Sequence, residues 1–307
     1  MLRGMFTLAH ISDVHLGPLP DISFGELLSK RITGYVNWQR NRRKHLFGNT
    51  LELLVEDLYA RVPDHLAITG DLVNLAASIE IDAAAAWLRS LGKPHDISVV
   101  PGNHDAYVPN AIDEAVFKWN SWMSGDEMGE GDRRFPFLRI RGKIALIGLS
   151  TATATPPFMA SGYFGSNQAR RFANILKQTG DAGLFRVVMI HHPPIRGATA
   201  NYKRMMGIRR FGAAVHIGGA ELVLHGHTHL NTVNWLRGPT DAPIPVVGIA
   251  SASQGQGGRK PPAAYNLFHI DGEKGSWSIK RERYQLTGDG SAFLLDETSA
   301  LINPAFA

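Results

Sequence analysis

Apolar positions along the chain recur in two periods. Short runs such as "FTLAHIS" (6–12), "HLAIT" (65–69), "DISVV" (96–100), "KIALIGLS" (143–150), "FRVVMI" (185–190) and "AELVLH" (220–225) read as strands. Between them, "NTLELLVEDLYARV" (49–62), "SIEIDAAAAWLRSL" (78–91), "AIDEAVFKWNSWM" (111–123) and "SNQARRFANILKQ" (166–178) repeat at helical spacing, the last with Ser166 as its N-cap. "YKRMMGIRRFGAAVHIG" predicts a helix in its second half. Beyond His225, "TVNWLR", "IPVVGIAS", "AYNLFHI" and "SWSIKRERY" predict strands without a strong helix. A chain that begins βαβαβ and finishes in strands predicts an α/β fold of two stacked sheets flanked by helices. We read one domain over 1–284. The tail over 285–307 patterns weakly and receives no assignment.

Composition narrows the chemistry more than the fold. At 307 residues, 44% hydrophobic and 19% charged, the chain is of ordinary globular make-up and long enough for a sizeable core. No run of eighteen or more apolar residues occurs, so a spanning helix is not expected. The basic, then apolar, start "MLRGMFTLAHIS" reads as a first strand rather than a signal peptide. Cysteine is absent, which excludes disulfides and thiolate chemistry and leaves His, Asp, Glu and Asn for any metal. That absence also fits a reducing, cytoplasmic setting. A net charge of +5 points toward anionic partners.

Each predicted strand is followed by residues that can bind metal. "SDVHLG" supplies Asp13 and His15, and "TGDLVN" supplies Asp71 and Asn74. "VPGNHDAY" supplies Asn103, His104 and Asp105, "HHPP" supplies His191 and His192, and "HGHTH" supplies His225, His227 and His229. Open α/β sheets place ligand sites outside the carboxyl ends of their strands. In extended chain residues i and i+2 share a face, so Asp13 with His15, and His227 with His229, are expected to reach one point. Gly70, Gly102 and Gly226 stand where a strand must turn or let backbone approach an ion. Carboxylates, imidazoles and one amide oxygen suit Mn, Fe, Zn or Co.

Taken in order, D-x-H, G-D-x-x-N, G-N-H-D, H-x-P and G-H-x-H resemble the calcineurin-like metallophosphoesterase superfamily, over Asp13 to His229. The resemblance implies a four-layer αββα sandwich with two mixed β-sheets and two divalent metal ions. It implies Asp13, His15 and His229 as ligands of one ion, Asp71 as the bridging carboxylate, and Asn103, His191 and His227 as ligands of the other. His104 would sit near the leaving group with Asp105 orienting it, and a hydroxide between the ions would attack a phosphoryl group. His225 falls before the glycine, where the family needs no ligand. His191 rather than His192 matches the H-x-P motif.

Other residues carry two readings. Asn74 closes a turn or contacts substrate, and Tyr107 packs a loop or lines the pocket. His10, His45, His65, His95, His216 and His269 read as structural or surface residues. Arg196, Lys203, Arg204, Arg209 and Arg210 form a basic group that could bind substrate phosphate. The segment over 30–45, with Lys30, Arg31, Arg40, Arg42, Arg43 and Lys44 beside Tyr35 and Trp38 and no acid, is either a solvated face or a surface for phosphate-bearing lipid head groups or nucleic acid. The lipid reading would place the protein peripherally at the inner membrane face. "GDLVNLA" and "GNHD" resemble the phosphodiesterase branch, which implies a small phosphodiester or nucleotide-containing substrate. One alternative is a UDP-2,3-diacylglucosamine pyrophosphatase of lipid A synthesis. Another is a nuclease, supported only by net basicity. A third, of a different class, is a non-catalytic scaffold, against which stands the presence of every expected ligand.

Overall fold

The computed structural model describes residues 4–19, 30–32, 35, 49–127 and 135–302. Its first strand shows how the layers arise. In β1 (Phe6–Ile11) Leu8 enters one apolar core while Ala9 and Ile11 enter another, the two-residue alternation of a strand buried on both faces. β2 (His65–Ile68) and β3 (Ile97–Val99) pair parallel to β1, with α1 (Thr50–Ala60) and α2 (Ser78–Leu91) as crossovers. α1 buries Leu54 and Leu58, one helical turn apart, against this sheet, and α3 (Ala111–Lys118) adds Ala111 and Ala115.

A second half repeats the plan. β4 (Phe137–Arg141) leads into β5 (Ile144–Gly148), β6 (Gly162–Tyr163), α4 (Ser166–Asp181), β7 (Phe185–Met189), β8 (Met205–Met206), α5 (Ile208–Gly218) and β9 (Leu222–His225). α4 buries Phe172, Leu176 and Thr179, and α5 buries Phe211, Ala214 and Val215, both against the second sheet. Gly165 caps α4, so Ser166 is its first helical residue rather than the cap expected from sequence.

β10 (Thr232–Arg237), β11 (Pro243–Gly248), β12 (Ala264–Asp271), β13 (Ser278–Leu286) and β14 (Phe293–Ile302) complete two six-stranded sheets, ordered β14-β13-β12-β1-β2-β3 and β10-β11-β9-β7-β5-β4. Both are mixed, because β12 pairs antiparallel with β1, β13 with β12 and β14 with β13, while β10 and β4 flank the parallel strands of the other sheet as antiparallel edges. Leu8, Leu146, Val187, Met189, Leu224 and Phe268 fill the space between the sheets. The order of layers is helices, sheet, sheet, helices, as expected. Residues beyond Gln285, unassigned from sequence, continue β13 and form the edge strand β14.

Arg40, Arg42, Arg43, Lys44 and Trp38 of the basic segment lie outside the described residues. Among the described residues no helix is long and apolar enough to cross a membrane.

Candidate metal centre

The parallel strands of both sheets deliver their carboxyl ends to one place, and there the five motifs meet. Asp13 Oδ1 lies 3.1 Å from His229 Nε2, which lies 3.4 Å from His15 Nε2. On the other side, His191 Nε2 lies 3.3 Å from Asp71 Oδ2 and 3.2 Å from Asn103 Oδ1. His227 Nδ1 stands 2.8 Å from that same Asn103 oxygen. Asp13 and Asp71 belong with His191 to one potential metal-holding group, so the two clusters adjoin.

The convergence does not come from extended chain. Asp13, His15, Asp71, His227 and His229 all have positive φ, between 44° and 66°. Non-glycine residues rarely occupy this region, and such strain concentrates at functional sites. Left-handed turns aim these side chains instead: Asp13 and His15 do share one cluster, with His229, but His227 and His229, expected to reach one point, turn to opposite halves of the centre.

Main-chain carbonyls set the histidine tautomers. Nδ1 of His15 donates to Val73 O at 3.1 Å, and Nδ1 of His191 donates to Thr69 O at 2.7 Å. Nε2 of His227 donates to Lys203 O at 2.9 Å. With a cation bound and the rings neutral, the other nitrogen of each would present a lone pair to the cluster. Asp13 Oδ1 is buried and accepts no hydrogen bond. A buried carboxylate oxygen without a donor, facing inward lone pairs, fits a cation. The donor set is oxygen and nitrogen, which suits the divalent ions expected.

Charge agrees with this fit. Burial alone would raise the Asp13 and Asp71 carboxyls, but neighbouring histidines outweigh it and hold both below the usual carboxylate range. Burial would lower His191, yet Asp71 and Asp13 push it up to about 9. The spot therefore favours positive charge.

Glycines make room for the carboxylates. A Cβ on Gly102 would fall 2.2 Å from Asp71 Oδ1, and one on Gly226 would fall 2.5 Å from Asp13 Oδ2 and 1.8 Å from Ser12 Oγ. Gly226→Ala is accordingly expected to displace Asp13 and weaken metal binding by ~10–100-fold, the usual loss when a supporting residue of a metal site is changed. Titration of the purified variant with Mn, read by metal content, checks this.

His104 borders the centre. Its backbone N–H donates to Asp71 Oδ1 at 2.7 Å, and its Nδ1 donates to Asn74 O at 2.5 Å, which fixes the orientation of the ring. Tyr107 stacks on its ring at 5.4 Å. Two expectations are corrected. Asp105 does not orient this ring; it is fully buried and accepts backbone N–H bonds from Asp71, Leu72, Val73 and Gly102. The Asn74 side chain is buried and donates to Leu16 O, so Asn74 acts through its carbonyl rather than on substrate.

Glu80, which no motif marked, accepts N–H bonds from Asn74, Leu75 and Ala77 and so fixes the loop that holds His104. The signal was present as an acid three residues after the N-cap of α2. His192 bonds to Thr151 Oγ1 and the Ala160 carbonyl, and His225 Nδ1 donates to Gly226 O.

A cavity of about 690 Å³ opens over the centre, bordered by His104, Lys203, Thr228, Arg259 and Lys260 among others. Arg196, Arg209 and Arg210 do not line it; all three are exposed, and Arg210 donates to Phe164 O. α5 starts at Ile208 and carries Arg209 and Arg210 on its outer face. Arg259 and Lys260 were missed because "QGQGGRKPP" holds no motif. Topology marks them, since β11 runs parallel to β9 and its following loop emerges at the same end.

Comparison with known proteins agrees with this arrangement. Residues 6–231 match the model of the calcineurin-like phosphoesterase family. No curated protein matches the chain. Among solved structures, a dimetal phosphatase from Danio rerio superposes with a TM-score of 0.59 at 12% identity, covering 96% of this chain and 98% of its own. A purple acid phosphatase from yellow lupin (Lupinus luteus) seeds gives 0.58 at 10% identity, covering 96% of this chain, which spans about half (53%) of the lupin protein. At these identities the likeness is one of fold. The chain belongs to the calcineurin-like phosphoesterase family, a metallophosphoesterase with a candidate dimetal site.

Proposed function

We propose that this protein hydrolyses a phosphodiester, with Asp13, His15 and His229 holding one divalent ion, Asn103, His191 and His227 a second, and Asp71 bridging them. The observation that carries the reading is the meeting of these seven side chains from five strand ends, with His104 at the rim. Divalent ions held by these residues would supply Lewis acidity, lowering the pKa of water there toward ~7 and offsetting charge on phosphoryl oxygens. The protein's own residues do the rest. Asn74 O fixes the His104 ring so that a proton on Nε2 faces the departing oxygen. The Tyr107 ring packs against it and limits its rotation. Lys203, Arg259 and Lys260 make the cavity cationic and draw in an anionic ester. A cavity of about 690 Å³ has room for substituents beyond a bare phosphate.

The three cations also favour a second reading, a diphosphate-linked substrate such as UDP-2,3-diacylglucosamine. Lys260 Nζ donates to Thr228 O at 2.9 Å, and Thr228 lies between two proposed ligands, so an adjacent phosphate would fall within its reach.

A panel of p-nitrophenyl phosphate, bis-p-nitrophenyl phosphate, cyclic nucleotides, glycerophosphodiesters and the UDP-lipid separates the readings. We expect the diester to turn over faster than the monoester. Selective turnover of the UDP-lipid would favour the second reading, and turnover of the monoester alone would overturn both. His104→Ala is expected to lower kcat on the diester by at least about a hundredfold, the low end for loss of general acid catalysis, with metal content unchanged.

A further inference from the structure

We infer that the face beside the cavity mouth docks on an anionic lipid bilayer. β6 and β8 run side by side there, with Tyr163 in register with Met206, and the Ala160 N–H bonds to Tyr202 O at 2.9 Å. This small sheet and its turns present Phe158, Met159, Tyr163, Tyr202 and Met206 to solvent, with Phe158 84% exposed. Clustered exposure of this kind marks an interaction site, whereas single exposed apolar residues do not.

The Phe158 backbone adds an independent sign. The Met159 N–H bonds to Pro156 O at 3.2 Å, closing a turn in which Phe158 has φ 66°. Such a position ordinarily takes glycine, and a bulky aromatic there costs stability. The turn places the most exposed aromatic side chain of the face at its tip. Lys30 Nζ braces it by donating to Thr155 Oγ1 at 2.8 Å and to the Met159 carbonyl at 3.1 Å.

Charge selects the occupant. From Phe135 to Ala220 the sequence holds one acid, Asp181, while Lys203, Arg204, Arg209 and Arg210 all stand exposed around the apolar residues. None of these four cations is in an ion pair among the described residues. Apolar side chains that enter the headgroup boundary, ringed by unpaired cations, match a membrane of negative surface potential. Lys203 belongs both to this ring and to the cavity lining, so docking would set the mouth against the lipid surface.

The inference does not depend on which ester the centre cleaves. It is tested by co-sedimentation of the full chain with vesicles of phosphatidylcholine alone and of phosphatidylcholine mixed with phosphatidylglycerol. Binding to the mixed vesicles only, weakened by salt, is expected. Phe158→Ser, Tyr163→Ser and Met206→Ser together should weaken it at least about tenfold, given the apolar area withdrawn. Arg204→Gln with Arg209→Gln should weaken it roughly thirtyfold, at ~1 kcal/mol per cation. Turnover of bis-p-nitrophenyl phosphate should be unchanged in both variants. Absence of binding, equal binding to neutral vesicles, or binding indifferent to these substitutions would overturn the inference. So would single-stranded DNA binding, or concentration-dependent self-association, that the same substitutions abolish while vesicles are ignored.

Discussion

Asp71→Ala is expected to abolish hydrolysis and leave a chain that retains at most one metal ion. Asp71 Oδ2 lies 3.3 Å from His191 Nε2, and Asp71 Oδ1 accepts the His104 N–H at 2.7 Å. One side chain thus touches both halves of the centre and holds the His104 backbone in place. Changing a residue that merely supports a metal ligand costs ~10–100-fold in affinity or activity, and a bridging ligand should cost far more. The metal-free fold should survive at some cost in stability, because the substitution takes the acceptor from the His104 N–H and the carboxylate partner from His191 while the surrounding apolar cores are untouched. The discriminating result is a variant with unchanged circular dichroism, lost turnover and reduced metal content. Full activity would show that Asp71 bridges nothing.

Asp105→Ala should act differently, through stability first. Oδ2 accepts N–H groups of Asp71 and Gly102 at 2.9 and 2.8 Å, and Oδ1 accepts those of Leu72 and Val73 at 2.9 and 3.3 Å. Burial and the Asp71 charge push this carboxyl up to about 7, while the backbone donors favour its ionised form. Truncation leaves four buried donors without an acceptor at ~1–3 kcal/mol each, so a loss of roughly 4 kcal/mol or more is expected. At ~2–4 °C per kcal/mol for a chain of this size class, Tm should fall by roughly 10 °C. Activity should fall with it, because the same loops carry Asp71 and Asn103. A purely catalytic Asp105 would lose activity at unchanged Tm, and thermal unfolding beside kinetics decides between the two.

The contrast between Asp71 and Asp105 shows what the sequence could reveal. Ligand candidates follow strand ends in an order and spacing that chemistry requires, so Asp13, Asp71, Asn103 and the histidines were all legible. Supporting roles depend on which backbone groups a loop leaves unpaired, and nothing in "GNHD" says that its aspartate faces four N–H donors. The fold shows the same division. Strands buried on both faces, such as β5, read as unbroken apolar runs. β4 did not, because Arg139 is buried within it, with its guanidinium donating to carbonyls of Pro94, Ile97, Ser121 and Ser124. β14 did not because it is an edge strand with half of its residues exposed. The cationic residues of the cavity were half legible. Lys203 stood in a visible basic group, whereas Arg259 and Lys260 reach the site only through the parallel pairing of β11 with β9.

The most direct test of the central claim is the metal content of protein purified without chelator and reconstituted separately with Mn, Fe, Zn and Co. Hydrolysis of bis-p-nitrophenyl phosphate would be followed on the same samples. The account predicts about two ions per chain in the active samples, with activity removed by chelation and restored by the metal. Folded protein that binds no ion from any of the four, or hydrolyses the ester undiminished after chelation, would contradict it.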